Sequence, residues 1–468
     1  MFFRSLGQSQ NNLTLRDVVL NSIDKEKLFF YPTNIAELGV AQLNSLVEFN
    51  QKEVCNFLLN YFETQLTKES VNNIIENVFQ DQSSQIKLIE KTSSSVFLSL
   101  SDNYHENYAS LPVNLTVELF QHYTNLREYS YKKNLFICTT NGAEGMEVIK
   151  KASKYKKSDF IIILPSHANP IYEKYFLSKA KENENLTVVK INANIDRCRN
   201  IEKALLVSKL TKFRNVCSLS GFNFSYIIGC MMQIVLTLHQ LKFSEVNFSL
   251  PFIEGQYAVA ISLLKKMGFN INGLCYSVNN VACIERAMMN GHLFMKADTI
   301  YDTKYNMLNQ YPVCLEYLMQ EIFPSKEYLI NFNNTFLYNE NAFLAKQVYD
   351  KFHTNFQLFR LTNEEINASV STMIKKFSRI FDPLTVLGYT LTQYNNNENL
   401  NLKNGLPVMF MEFESHMFFS SYLKEVLTFN IDIDPELQKQ TQHELKSFWC
   451  EDSIELMNLI QEKINHVK

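Results

Sequence analysis

The stretch N-L-F-I-C-T-T-N-G-A-E-G-M-E-V, residues 134–148, decides the fold. Residues 134–140 are mostly apolar or β-branched and predict a strand buried on both faces. Gly142 and Gly145 follow, and a helix begins there. Such a turn can offer backbone amides to an anion, but Glu144 and Glu147 would repel a phosphate. The favoured interpretation is a tight strand-to-helix turn.

The same strand–loop–helix unit recurs along the chain. Parallel strands separated by helices form open sheets, so we expect an α/β protein with two open, mostly parallel-sheet lobes. The predicted divisions are an N-terminal helical region (1–95, helical over 14–91), a first lobe (96–225) and a second lobe with C-terminal helices (226–468). The predicted strands cover residues 134–140, 160–164, 186–191, 246–250, 274–277, 328–332 and 408–413.

Composition excludes several classes of function. The chain has 468 residues, of which 46% are hydrophobic and 20% charged, as is typical of a globular protein of two or three domains. A net charge of −3 gives no electrostatic basis for nucleic-acid binding. The nine cysteines and nine histidines lack metal-binding spacing, which predicts buried thiols in a reducing compartment and no metal site. No apolar run is long enough for a membrane span, and residues 227–238 predict a buried helix.

Ligands of open parallel sheets bind beyond the carboxyl ends of the strands, so the loops that follow the strands are the candidate sites. The loop after residue 164 contains His167, and a surface histidine is the commoner interpretation. The loop after residue 250 contains Glu254 and Gly255. A phosphate cradle needs exposed amides and no carboxylate, so this loop is predicted to be structural.

The order of these loops resembles the threonine synthase family, pyridoxal phosphate (PLP) enzymes of the tryptophan synthase β-type fold. The resemblance runs from about Leu13 to about residue 420 and rests mainly on framing residues. Residues 14–32, T-L-R-D-V-V-L-N-S-I-D-K-E-K-L-F-F-Y-P, resemble the family's opening helix and its G-L-F-x-P turn. Three further segments are similar to family motifs: L-P-S-H-A-N-P-I-Y-E (164–173), P-F-I-E-G-Q-Y with K-K-M-G (251–268) and D-P-L-T-V-L-G (382–388).

The resemblance also gives a position to the family's PLP lysine. The family segment H-G-P-T-x-A-F-K-D aligns with D-N-Y-H-E-N-Y-A-S, residues 102–110, which places Ala109 at the lysine. His105 and Glu106 in this loop first suggest acid–base chemistry, but Ala109 is the informative residue, because a methyl group cannot form an imine. No lysine lies between Lys91 and Lys132 to replace it.

The other positions that the resemblance assigns to cofactor or substrate have also changed. Turn glycines persist, whereas charged and hydroxyl side chains are replaced by bulk or by acids. The residues here are Asn141, Gly142 and Gly145 in the family's S-G-D-T-G, Tyr226 at an arginine, Glu254 and Gly255 in the phosphate cradle G-N-F-G, Leu384 at the histidine of D-P-H-T, and Glu412 at the pyridine-nitrogen partner.

These replacements predict a threonine-synthase-like protein that is not an enzyme, with PLP lost and with no catalytic or metal-binding residues. The expected role is a structural or regulatory subunit bound to a protein partner, for example in a large assembly, with the oligomeric state open. The first 16 residues hold two arginines and no acid, as a mitochondrial presequence does. The expected location is therefore intracellular, mitochondrial or cytoplasmic. Two alternatives stay open: a sensor that binds an amino acid or nucleotide in the emptied crevice, and a threonine-synthase-like lyase with altered chemistry.

Overall fold

The computed structural model describes residues 1–7, 12–63, 65–80, 86–101, 106–126, 129–279, 284–294, 312–339, 341–355, 357–394, 400, 402–441, 448–450 and 453–465. Strands and helices alternate along most of this length. The strands are β1 Phe3–Arg4, β2 Tyr31–Pro32, β3 Lys87–Lys91, β4 Ser95–Ser99, β5 Lys133–Thr139, β6 Asp159–Leu164, β7 Leu186–Ile191, β8 Arg214–Ser218, β9 Asn247–Pro251, β10 Leu274–Asn279, β11 His292–Phe294, β12 Asn341–Phe343, β13 Leu358–Leu361, β14 Val408–Glu412 and β15 Phe448–Cys450.

The helices lie between these strands and cover both large sheets. They are α1 Leu15–Asn21, α2 Val40–Ser45, α3 Gln51–Phe62, α4 Lys68–Gln80, α5 Ser110–Thr124, α6 Ala143–Lys154, α7 Pro170–Glu182, α8 Ile195–Leu206, α9 Phe224–Gln240, α10 Gln256–Lys266, α11 Ile284–Asn290, α12 Leu315–Ile322, α13 Lys326–Asn339, α14 Lys346–Asn355, α15 Asn363–Phe377, α16 Pro383–Tyr394, α17 Ser420–Leu427, α18 Pro435–Thr441 and α19 Ser453–Asn465.

Two open sheets organise the chain. The first has the order β15-β7-β6-β5-β8, and all of its neighbouring strands are parallel. The second has the order β13-β10-β9-β14-β4-β3, in which only the edge pair β3–β4 is antiparallel. Two antiparallel pairs, β1–β2 and β11–β12, complete the described sheets. The predicted α/β fold with mostly parallel sheets is confirmed.

The central strands are continuous apolar runs because both of their faces are covered by helices. In β6, D-F-I-I-I-L, every residue after Asp159 is buried. The helix predicted at 227–238 is confirmed as part of α9, whose residues 224–238 are all buried. Gly229 lets α9 cross α5 closely, because a Cβ at that position would lie 2.4 Å from Pro112 Cα. Within the described residues, no helix has both the length and the apolarity needed to cross a membrane.

Part of the predicted secondary structure is wrong. Residues 328–332 lie in helix α13, where Leu329, Phe332 and Phe336 recur at helical spacing and are buried. A short aromatic run fits a strand and a buried helix equally well, so the sequence did not distinguish them. The strands that were not predicted include β1, β8, β11, β12, β13 and β15. Strands β2 and β3 lie in the region predicted to be helical throughout.

The domain boundaries at residues 95 and 225 stay a prediction. The strand pairing adds one fact, which is that β4, at residues 95–99, pairs with β14 in the six-stranded sheet. The segment that follows β4 therefore leaves the second strand from one edge of that sheet.

Candidate functional site

Loops that follow the carboxyl ends of strands from both sheets contact one another. Tyr108, after β4, donates a 2.9 Å hydrogen bond to Glu144, after β5. Tyr172, in the helix after β6, donates a 2.5 Å hydrogen bond to Glu414, after β14. All four side chains are buried. The sequence-predicted loops thus meet where an open-sheet fold places its ligand.

Ala109 caps the start of helix α5 and is completely buried. Its N–H donates a 2.8 Å hydrogen bond to Asn107 Oδ1, and the Asn107 amide donates to the Ala143 carbonyl at 3.1 Å. Ser110 Oγ donates to Glu147 at 2.7 Å. These bonds fasten the start of α5 to α6. Glu106 is buried, and His105 lies outside the described residues.

The turn at residues 140–145 is shaped by close packing. A Cβ on Gly142 would lie 2.3 Å from the Tyr172 ring, and one on Gly145 would lie 2.5 Å from the Phe176 ring. Glu144 accepts a 2.6 Å hydrogen bond from Thr140 Oγ1 in addition to the bond from Tyr108. Because aromatic rings occupy the space beside the two glycines, the geometry supports a structural turn. Asn141 precedes Gly142 and is half-buried.

Asp382 and Glu414 form a buried acid pair at the carboxyl end of β14. Burial raises the pKa of Asp382 to about 7, and the nearby Glu412 carboxylate adds to this shift. Burial also raises the pKa of Glu414 to about 8, with a further contribution from Asp382. The Leu384 N–H donates to Asp382 at 3.0 Å, so Leu384 contributes its backbone here while its side chain is buried. Two carboxyl groups with pKa values near neutrality are able to exchange protons at physiological pH.

Glu412, at the end of β14, is paired with Arg379. Arg379 donates to both of its carboxylate oxygens, at 2.8 and 2.7 Å, and Ser99 Oγ donates at 2.6 Å. Tyr226 is fully buried, and its hydroxyl has no hydrogen-bond partner among the described residues. This orphaned hydroxyl is a polar feature of the site that packing alone does not explain.

The turn at residues 253–256 is joined to the other sheet by an ion pair. Gly255 has φ 76°, a left-handed conformation that favours glycine, and caps helix α10. The Glu254 carboxylate pairs with Arg199 of α8, whose guanidinium also lies 3.5 Å from Asp196. The prediction that Glu254 would oppose a phosphate treated the carboxylate as isolated. Its charge is instead compensated by Arg199.

A pocket opens beside this ion pair and encloses about 770 Å³, part of it open to solvent. Arg199, Asn200 and Lys203 of α8 line one side, and Phe222, Val313 and Ile330 line another. The lining combines these apolar residues with charged and amide side chains, which include the acids Glu26 and Asp196. We call this space the interlobe pocket, because Arg199, which lines it, follows a strand of one sheet and pairs with Glu254, which follows a strand of the other.

Lys203 is held in place by charge and by aromatic rings. Its Nζ lies 3.2 Å from Glu316 Oε2, 4.4 Å from the centre of the Phe29 ring and 5.5 Å from that of Phe222. Only 14% of the Lys203 side chain is exposed. A carboxylate and two aromatic rings therefore surround the Lys203 amine where it lines the pocket.

Sequence reasoning missed Arg199, Lys203 and Tyr172. The available signal was the spacing of Arg199 and Lys203, which places two cations on one face of a helix. Within the described part of the chain, no cluster of three or more His, Cys, Asp or Glu side chains is arranged to hold a metal ion. The eight described cysteines are all buried, and none forms a disulfide.

No family model matches the sequence, and no curated protein matches it. The structure is nevertheless similar over its whole length to solved threonine synthases. The PLP-bound threonine synthase of Brucella melitensis gives a TM-score of 0.81 at 14% identity, covering 99% of this chain and 98% of that one. The yeast enzyme gives 0.79 at 17%, covering 99% of both chains. The Escherichia coli enzyme gives 0.78 at 14%, covering 99% and 100%. At these identities the similarity establishes the fold.

The predictions that the chain is not an enzyme and that it has lost PLP are contradicted by these similarities. The proteins that share its fold from end to end are threonine synthases, and the Brucella melitensis structure holds PLP.

The residues present do not fit PLP bound through an imine at residue 109. Ala109 carries no amine, and the turn at 253–256 presents a carboxylate, Glu254, that is engaged by Arg199. No step of the chemistry proposed below therefore runs through PLP.

Proposed function

We propose that the chain is a threonine-synthase-like enzyme with altered chemistry, which binds a small amino acid in the interlobe pocket. Support comes from the full-length similarity to threonine synthases. The observation that carries the proposal is the pair Arg199 and Lys203, one helical turn apart, lining a pocket with apolar walls. This pair is suited to the carboxylate that every amino acid carries.

The two cations play different parts. Arg199 offers a planar set of donors that binds a carboxylate with two parallel hydrogen bonds. To bind the carboxylate of a ligand, Arg199 must divide its donors between the ligand and Glu254 or release Glu254. Ligand binding is therefore coupled to the turn at 253–256. Lys203 acts as a fixed positive charge, because Glu316 and Phe29 hold its ammonium group. Phe222, Val313 and Ile330 provide the apolar surface for the side chain of the ligand.

Proton transfer is the chemistry that the buried acids support. Asp382 and Glu414 have pKa values raised to about 7 and about 8, so each is able to hold or release a proton near neutral pH. Tyr172 orients Glu414 through its 2.5 Å hydrogen bond. Neither acid lines the interlobe pocket, so no bond-breaking step on a ligand bound there is assigned to Asp382 or Glu414.

The experiment incubates the purified full-length chain with a panel of amino acids, with and without added PLP, and follows the mixtures by proton NMR. Calorimetry on the same panel gives dissociation constants. We expect at least one amino acid to bind and to be converted, and Lys203→Met to weaken its binding about tenfold. Lys209→Met is the matched control, because Lys209 is exposed on the 3-10 turn that follows α8.

Two results would count against the proposal. Binding without conversion of any amino acid would indicate a ligand-binding sensor in place of an enzyme. If Lys203→Met converts the amino acid as fast as wild type does, the substrate does not bind in the interlobe pocket. The protein partner and the mitochondrial or cytoplasmic location stay predictions, and the oligomeric state stays open.

A further inference from the structure

A second large pocket lies at the amino ends of strands β5 and β8 of the five-stranded sheet. It is lined by residues at the start of strand β8, by the segment before β5 and by the loop after helix α1, and it encloses about 1360 Å³, part of it open to solvent. Strands β5 and β8 are parallel, and the candidate site lies beyond their carboxyl ends. At 3.3 Å per residue, the length of β5 separates this pocket, at the amino end of the strand, from the candidate site by roughly 20 Å. We call this space the edge pocket.

Positive charge predominates among the residues that line the edge pocket. Lys25, Lys132 and Arg214 face a single acid, Asp24. The Asp24 carboxylate is buried and accepts hydrogen bonds from the Ser5 hydroxyl and, at 2.8 Å, from the Leu28 N–H. Its contacts are thus with the interior of the protein, and the lining presents an excess of cations.

Arg214 has a donor that no described residue satisfies. Its Nε is buried and has no hydrogen-bond partner among the described residues. The closest acid, Asp159, lies 3.9 Å from this nitrogen, beyond hydrogen-bond distance, and is engaged by Lys133 at 2.6 Å. A buried guanidinium donor without an acceptor is costly, so an acceptor in the pocket would stabilise it.

Lys132 places a second donor at the same edge. Its Nζ donates a 2.9 Å hydrogen bond to the Thr211 carbonyl, which fixes the ammonium group at the pocket. An ammonium group has three N–H donors, so this bond leaves two that can reach a ligand. The same lining includes the apolar side chains Ile23, Leu206 and Val216, which we call the apolar wall.

We propose that the edge pocket binds an organic phosphate, with its phosphate oxygens on Arg214 and Lys132 and its carbon skeleton against the apolar wall. A phosphate offers several acceptors to donors that lie at different angles, and it carries the charge that the lining lacks. The pocket is large enough for a small organic molecule. The site is independent of the proposed function, because it shares no lining residue with the interlobe pocket.

Calorimetry on the full-length chain tests the site with three probes: inorganic phosphate, adenosine monophosphate and adenosine. We expect adenosine monophosphate to bind more tightly than phosphate, and adenosine at least tenfold more weakly than its monophosphate. Lys132→Gln and Arg214→Gln should each weaken monophosphate binding about tenfold. Lys212→Gln is the control, because Lys212 is exposed on the neighbouring 3-10 turn and does not line the pocket.

The variants also distinguish binding at a specific site from general electrostatic attraction of the phosphate to the protein surface. If Lys212→Gln weakens binding as much as Lys132→Gln does, the phosphate is attracted by surface charge and the proposal fails. Failure of both phosphates to bind at millimolar concentration overturns it as well. Lys132→Gln changes a half-buried side chain, so the test does not depend on Arg214→Gln folding normally.

Discussion

The Tyr172 hydroxyl donates a 2.5 Å hydrogen bond to Glu414, and this contact joins a helix of the five-stranded sheet to the loop after β14 of the six-stranded sheet. The Tyr172 ring also stacks on Phe418, with 3.9 Å between the ring centres. Both residues of the hydrogen bond are buried. A buried carboxyl group therefore titrates where the two sheets meet.

Replacement of Glu414 by glutamine is expected to change how stability depends on pH. The pKa of Glu414 is raised by burial from 4.5 to about 8, so the folded protein holds a proton that the unfolded chain has released between these pH values. The stability that Glu414 contributes is complete below pH 4.5 and is lost as the pH rises to 8. Glutamine does not titrate and still accepts from Tyr172. Relative to wild type, Glu414→Gln should gain roughly 2–4 kcal/mol between pH 5 and pH 8.

Urea unfolding at pH 5, 6.5 and 8 measures this difference. Glu48→Gln is the control, because Glu48 is exposed on a 3-10 turn, and its difference from wild type should not vary with pH. A constant difference for Glu414→Gln over the same range would show that Glu414 titrates as an exposed glutamate does.

Gly142→Ala is expected to destabilise the fold through contact with Tyr172. The new methyl carbon would lie 2.3 Å from the Tyr172 ring, which is fixed by Phe418 and Glu414 and cannot move aside freely. Overpacking of this kind costs about 1–3 kcal/mol. Gly39→Ala should cost less, about 0.5–1 kcal/mol from the poorer N-cap of α2, because the nearest atom is 3.6 Å away. Equal unfolding midpoints for the two variants would contradict the packing.

The local features of the site were predictable from the sequence. The stretch 134–148 carries its own signals, an apolar strand followed by turn glycines and a helix start, and β5 and α6 form there as predicted. A sequence pattern does not predict secondary structure where it is compatible with both a strand and a helix. The aromatic run at 328–332 fits both a strand and a buried helix, and packing in α13 decides between them.

The long-range features of the site were not predictable. Tyr172 and Glu414 are 242 residues apart in the chain, and Arg199 and Glu254 are 55 apart. Their contacts depend on the strand order, in which β14 lies between β9 and β4. The pattern of apolar residues sets which segments are strands, but it does not set the neighbours of each strand. The compensation of Glu254 by Arg199 was therefore missed.

The ion pair between Arg199 and Glu254 is expected to stabilise the contact between the two sheets. Only 7% and 13% of these side chains are exposed, so removal of one partner leaves a poorly solvated charge. We expect Arg199→Gln and Glu254→Gln each to cost about 2–4 kcal/mol. The double variant should cost less than the sum of the two, with a coupling of at least about 1 kcal/mol. Additive losses in urea unfolding would show that the two charges do not interact.

Ala109→Lys is expected to destabilise the protein strongly, because residue 109 is completely buried at the start of α5. A lysine there must displace packed neighbours, and its amine must either lose its charge or be buried without a partner. The expected loss is about 3 kcal/mol or more, with the amine pKa below the ordinary value for lysine. Ala41→Lys is the matched control, because Ala41 lies on the exposed face of helix α2 and lysine is well tolerated there. Unfolding midpoints in urea give the loss, and a variant as stable as wild type would show that the start of α5 has room for a long side chain.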